Sequence, residues 1–85
     1  MFTTSRYASE KARKAARKMA KENNEPFVSR GKHTIAELAD LARRKGEERI
    51  CIIEERKKQP AVVVTIKIDE TGGWKWADEK PIDAL

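Results

Sequence analysis

Thr34-Ile35-Ala36-Glu37-Leu38-Ala39-Asp40-Leu41-Ala42-Arg43-Arg44-Lys45-Gly46, followed by Arg49-Ile50-Cys51-Ile52-Ile53-Glu54, reads as a helix handing over to a strand. Thr34 with Glu37 three residues on is a capping box. Ile35, Leu38, Leu41 and Ala42 form one apolar face at helical spacing. Arg43, Arg44 and Lys45 fall in the last turn, where cations favour the helix dipole, and Gly46 suits the residue just past the end. The run from Ile50 to Ile53 has no polar alternation, which predicts a central strand covered on both faces. A helix leading into such a strand places this chain among sheets flanked by helices.

Upstream, Phe2-Thr3-Thr4 predicts a short first strand, and Ser9 with Glu10 predicts the start of a helix. Ala8, Ala12, Ala15, Ala16, Met19 and Ala20 make a narrow apolar stripe, and alanines there let the helix lie close to a sheet. Asn23-Asn24 ends it, and Pro26 opens a second extended run, Phe27-Val28-Ser29. Downstream, Glu55 to Pro60 reads as a charged loop and Ala61–Ile68 as a strand rich in β-branched residues. Asp69-Glu70-Thr71-Gly72-Gly73 is a turn, and Trp74-Lys75-Trp76 a short returning strand. The expected order is β-α-β-α-β-β: one small α/β domain, α+β-like, over residues 1–76. Its sheet is expected to be mainly parallel with a C-terminal antiparallel hairpin, and residues 77–85 to form a loose tail.

The chain has 85 residues, enough for one domain with a thin core. Its net charge of +5 is unevenly spread. Residues 1–34 hold nine Lys or Arg against three Glu, whereas residues 61–85 hold three basic and five acidic groups. The basic excess therefore sits where a nucleic acid or other anionic surface would be met. Cys51 is the single cysteine, so an internal disulfide and a cysteine-based zinc cluster are excluded, and the chain reads as intracellular and cytoplasmic. No stretch approaches the ~20 apolar residues of a membrane span. His33 has no neighbouring ligand set, and no serine–base–acid arrangement is evident. Neither an enzyme nor a cofactor, metal or small-molecule substrate is expected.

Thr4-Ser5-Arg6 and Ser29-Arg30-Gly31-Lys32 each end a β-prone run ahead of a helical pattern. This puts both loops on one sheet edge, beside helix N-termini that favour anions. Hydroxyls, amides and guanidinium forks suit phosphate oxygens, although Ser5 could equally serve as a local cap. Gly31 permits a close backbone approach or a positive φ. Arg13, Lys14, Arg17, Lys18 and Lys21 on the first helix could track an RNA backbone, or be an ordinary solvated face. Trp74 and Trp76 share a strand face, where they could pack, stack on bases or meet a second protomer.

With these elements in order, the chain resembles the first half of a Brix domain, the module of ribosome-biogenesis proteins in archaea and eukaryotes. Thr4-Ser5-Arg6, Ser29-Arg30-Gly31-Lys32, the helix from Thr34, the strand Ile50–Ile53, Pro60 and the strand Ala61–Ile68 carry the likeness over residues 2–68. The resemblance implies a half-domain similar to the anticodon-binding domain of some aminoacyl-tRNA synthetases. It also implies a non-catalytic role in ribosomal RNA processing or subunit assembly, with precursor ribosomal RNA as the partner. A typical Brix domain has two such halves in one chain. It usually also has a glycine-containing turn where this chain has Arg56-Lys57-Lys58-Gln59-Pro60. The rival readings are a protein-interaction module completed by a second subunit, identical or not, and a small basic DNA-binding protein.

Overall fold

The computed structural model describes residues 1–71 and 73–82. Its elements are β1 (Phe2–Thr4), α1 (Glu10–Glu22), α2 (Ile35–Arg44), β2 (Arg49–Arg56), β3 (Gln59–Ile68) and β4 (Trp74–Pro81), with the strands in sheet order β1-β2-β3-β4. The α+β single domain agrees with the sequence reading, but the sheet is less parallel than expected. Only β1 and β2 run parallel as full strands, while β2–β3 and β3–β4 are antiparallel.

The expected second strand survives as one bridge. Phe27 pairs in parallel with Phe2 on the outer side of β1. The Phe2 amide donates to the Pro26 carbonyl (2.8 Å), and the Val28 amide to the Phe2 carbonyl (2.9 Å). Pro26 has no N–H to extend this ladder backward, and β1 is itself only three residues long.

Alternation along the sheet divides the core into two layers, because successive side chains point to opposite faces. Met1, Ile50, Ile52, Val64 and Ile66 pack with Leu38, Ala39 and Ala42 of α2. Phe2, Cys51, Ile53 and Val63 pack with Ala12, Ala16 and Ala20 of α1. One helix therefore covers each face, and β2 is buried from both sides as its apolar run implied. The caps also follow the sequence. Ser9 caps α1, Thr34 and Glu37 form the full capping box of α2, and Gly46 takes a φ of +74° after α2.

On the α1 face Arg49 donates to both oxygens of Glu25 and lies over the Phe2 ring at 5.8 Å. Glu25 also accepts from the Met1 amine at 2.6 Å, fixing the end of the α1 connection to the start of β1. Burial pushes the Glu25 carboxyl up, but the hydrogen bonds from Arg49 and the amine outweigh it and hold it below the usual value.

Two further expectations change at the C-terminal side. The tail from Ala77 is strand as far as Pro81, paired with β3 through a bulge opposite Thr65 and Ile66. Residues 83–85 of that tail, and Gly72 of the preceding turn, lie outside the described residues. The charged loop between β2 and β3 is a tight turn instead, with Arg56 paired to Gln59 and with Lys57 and Lys58 at φ values of +55° and +61°. Two successive positive φ values mark the primed turn that fits the twist of a hairpin, but side chains other than Gly, Asn or Asp are strained there. Replacing Lys58 with glycine should raise stability by about 1 kcal/mol. Urea unfolding checks this, and an unchanged or lower midpoint would show that the lysine is not strained.

Candidate nucleic-acid interface

The loop after β1 and the loop after Val28 leave the same end of the sheet, and their arginines tie them together. Arg6 Nη2 donates across to the Lys32 carbonyl (3.2 Å). Arg30 Nη1 donates to the Thr4 carbonyl (3.1 Å), and its Nε to the His33 carbonyl (2.8 Å). The Ser5 amide donates to the Ile53 carbonyl (3.0 Å), anchoring the first loop on β2. The two Ser/Arg loops are thus brought together as their positions in sequence implied.

Their residues divide by exposure. Thr4 is buried at 2 % exposure and turns its hydroxyl onto the Ser5 carbonyl, so it builds the loop rather than facing a ligand. Ser5 and Arg30 are half-buried, whereas Arg6, Ser29, Gly31 and Lys32 are exposed. Gly31 has a φ of +51°, and a Cβ there would meet nothing within 4 Å. The turn, not crowding, selects glycine at this position.

Among the described residues, Arg6, Arg30 and Lys32 have no carboxylate within ion-pair distance, although every other arginine except Arg44 has one. Burial first, and the neighbouring Arg6 second, push the Arg30 guanidinium down from its usual value. Two guanidiniums that repel each other, with hydrogen-bonding edges spared for solvent, form a site that an anion would stabilise.

The cap amide of each helix beside this site is taken by a carboxylate of the chain, where the sequence led us to expect an N-terminus that favours an external anion. Glu55 Oε1 accepts from the Ser9 amide at 2.7 Å and Oε2 from the Ser9 hydroxyl at 2.6 Å. At α2, Glu37 accepts from the Thr34 amide at 2.9 Å. A carboxylate of the chain itself therefore stands at each N-terminus and offsets part of the positive end of the helix dipole.

The basic face of α1 is similarly sorted. Arg13 donates to Glu10 (2.8 Å) and to the Ala8 carbonyl (2.9 Å). Arg17 is 3.7 Å from Glu10 and lies over the Phe27 ring at 5.3 Å. Both arginines are engaged within the fold. Lys14, Lys18 and Lys21 are exposed and without a carboxylate partner among the described residues. Lys11, which the sequence reading passed over, joins them at spacings of three and four. The four lie opposite Ala12, Ala16 and Ala20 and run about 15 Å from the loop end along the helix.

Trp74 and Trp76 share the α2 face of β4, with ring centroids 5.7 Å apart and planes at 86°. Trp74 packs on the core, whereas Trp76 is 58 % exposed. They lie on the edge strand and are not part of the loop cluster. A groove of about 1270 Å³ on the α1 face beside β3 and β4 includes none of Arg6, Arg30 and Lys32 and is lined by both signs of charge. Cys51 is buried, and burial pushes its thiol up. Among the described residues no group of three His, Cys, Asp or Glu could hold a metal ion, and no helix is long and apolar enough to cross a membrane.

No family model and no curated protein matches the sequence. Solved structures do. A probable ribosomal biogenesis protein from Aeropyrum pernix K1 is similar with a TM-score of 0.83 and 22% identity, over 92% of this chain and 44% of that one. Mil, an archaeal Imp4-like protein, is similar with a TM-score of 0.72 and 25% identity, over 86% of this chain and 45% of that one. The chain therefore spans under half the length of either protein and has the fold of that portion, which is the Brix-like fold expected from the sequence.

The Glu55 contact has a pH signature. The Ser9 hydroxyl, and then its amide, hold the Glu55 carboxyl below the usual carboxylate value. Its stabilising effect is present above the unfolded value near pH ~4.3 and is lost as pH falls through the lower folded value. Glu55→Ala should lower stability at pH 7 by about 1 kcal/mol. The gap from the parent chain, followed by thermal melts, should narrow between pH 7 and pH 3. An equal gap at both would mean that Glu55 acts by packing alone.

Proposed function

We propose that this domain is a non-catalytic RNA-docking module acting in ribosome assembly. Its loop cations grip phosphate, and the lysine stripe of α1 follows the backbone. The observation that carries this reading is the set of cations without an ion-pair partner among the described residues: Arg6, Arg30 and Lys32 on the loops at one end of the sheet, and Lys11, Lys14, Lys18 and Lys21 on the helix that starts from that end. Contacts of this kind supply affinity without base selection. The ribosomal assignment is supported by the likeness to two solved proteins, one described as a probable ribosomal biogenesis protein and one as Imp4-like.

Lys14 and Lys18 make a cleaner test than Arg13 and Arg17, whose replacement would also break contacts within the fold. Reversing both lysines to Glu should weaken RNA binding at least ten-fold at physiological salt. It should also make the salt dependence shallower by about 1.5 units for two lost phosphate contacts. Fluorescence anisotropy across a salt series reads both, and unchanged binding would remove α1 from the interface.

A second reading, a protein-interaction module, is favoured by one observation: Trp76 stands exposed on β4, in a chain half the length of its structural neighbours. A second subunit could pack there. Crosslinking in cells followed by sequencing separates the two. Reads should concentrate on precursor ribosomal RNA, and reads at background would transfer the function to this second reading.

A further inference from the structure

Tyr7 stands between the anchored Arg6 and the start of α1, in a position that folding alone does not explain. Its side chain is 93 % exposed, the most exposed large apolar surface described. Its backbone takes a φ of +58°, a left-handed conformation that a bulky aromatic residue rarely adopts and that glycine or asparagine would suit better. The strained backbone is thus accompanied by no packing of the ring. Such outliers cluster where a surface has to present a group to a ligand.

The surroundings specify the ligand. The loop is held on one side by the Ser5 amide on the Ile53 carbonyl (3.0 Å) and on the other by Arg6 on the Lys32 carbonyl (3.2 Å), so the ring is carried on a fixed support. Arg6 is its neighbour along the chain, and Arg30 reaches the same loop by donating to the Thr4 carbonyl (3.1 Å); neither has a carboxylate within ion-pair distance among the described residues. A flat, exposed π-face on the loop that carries Arg6 and receives Arg30 suits a nucleotide whose base is unpaired. A base inside a duplex is stacked on both sides and offers no face to a side chain.

We infer that Tyr7, Arg6 and Arg30 form a site for one unstacked nucleotide of single-stranded or looped RNA, with the base on the Tyr7 ring and its phosphate on the two guanidiniums. This rests on the RNA-docking reading and sharpens it. The lysine stripe binds any RNA backbone, and Tyr7 adds a preference for RNA that is not paired.

The test uses the full chain with a fluorescein-labelled 12-nucleotide single-stranded RNA and a duplex of the same length. Tyr7→Ala should weaken the single strand about ten-fold while leaving the duplex and the salt slope unchanged, since no phosphate contact is removed. Tyr7→Phe, which keeps the π-face, should bind the single strand like the parent. Exposure of the ring makes loss of folding on either change unexpected, and circular dichroism checks it. Equal single-strand affinity for the parent and Tyr7→Ala overturns the inference, as does an equal loss on the duplex. If the Lys14→Glu, Lys18→Glu variant still weakens binding in that case, the RNA-docking reading stands alone. If the parent binds neither RNA, both fall.

Discussion

With Ile50, Cys51, Ile52 and Ile53 all buried, β2 leaves no face to water, and this single strand sets what every other element can do. Its even-numbered side chains belong to the α2 layer and its odd-numbered ones to the α1 layer. A slip of one residue would exchange the two sets, so the register with β1 and β3 is tightly specified. The same strand supplies Ile53, whose carbonyl anchors the first loop, and Glu55, whose carboxylate closes the end of α1. The strand at the centre of the core therefore also sets where the candidate interface stands.

What could be read from the sequence is what depends on neighbours along the chain. The Thr34–Glu37 box, the Ser9 cap, Gly46 and the β-branched run of β3 all act within a few residues, and each took the expected form. What escaped depends on partners far away. Phe27 is reduced to one bridge because β1 is too short to pair further, which no property of Phe27-Val28-Ser29 reveals. β4 extends past Trp76 because β3 is long enough to receive Asp78 to Pro81, although that segment has almost no β propensity of its own.

The interface divides in the same way. The convergence of the two Ser/Arg loops was legible, since strand ends followed by helix starts bring loops to one edge. The division of labour within the positive charge was not. Arg13 and Arg17 looked equivalent to Lys14 and Lys18 in sequence, yet Glu10, the Ala8 carbonyl and the Phe27 ring claim the arginines. The backbone of Tyr7 has no counterpart in a residue pattern, because a φ of +58° is one that sequence reserves for glycine or asparagine.

Among the described residues β4 has one flank paired with β3 and no strand on the other, and its exposed residues include Lys75, Asp78, Glu79, Lys80 and Pro81. An open strand of that length would ordinarily invite growth of the sheet from one molecule into the next. Charged side chains along the edge and a proline without an N–H oppose it, because the charges would have to give up water and one ladder bond is missing. A domain whose outer strand resists adding another strand is protected from growth of its sheet edge to edge. Any partner on that side is then steered to the face that Trp76 presents and away from the backbone edge.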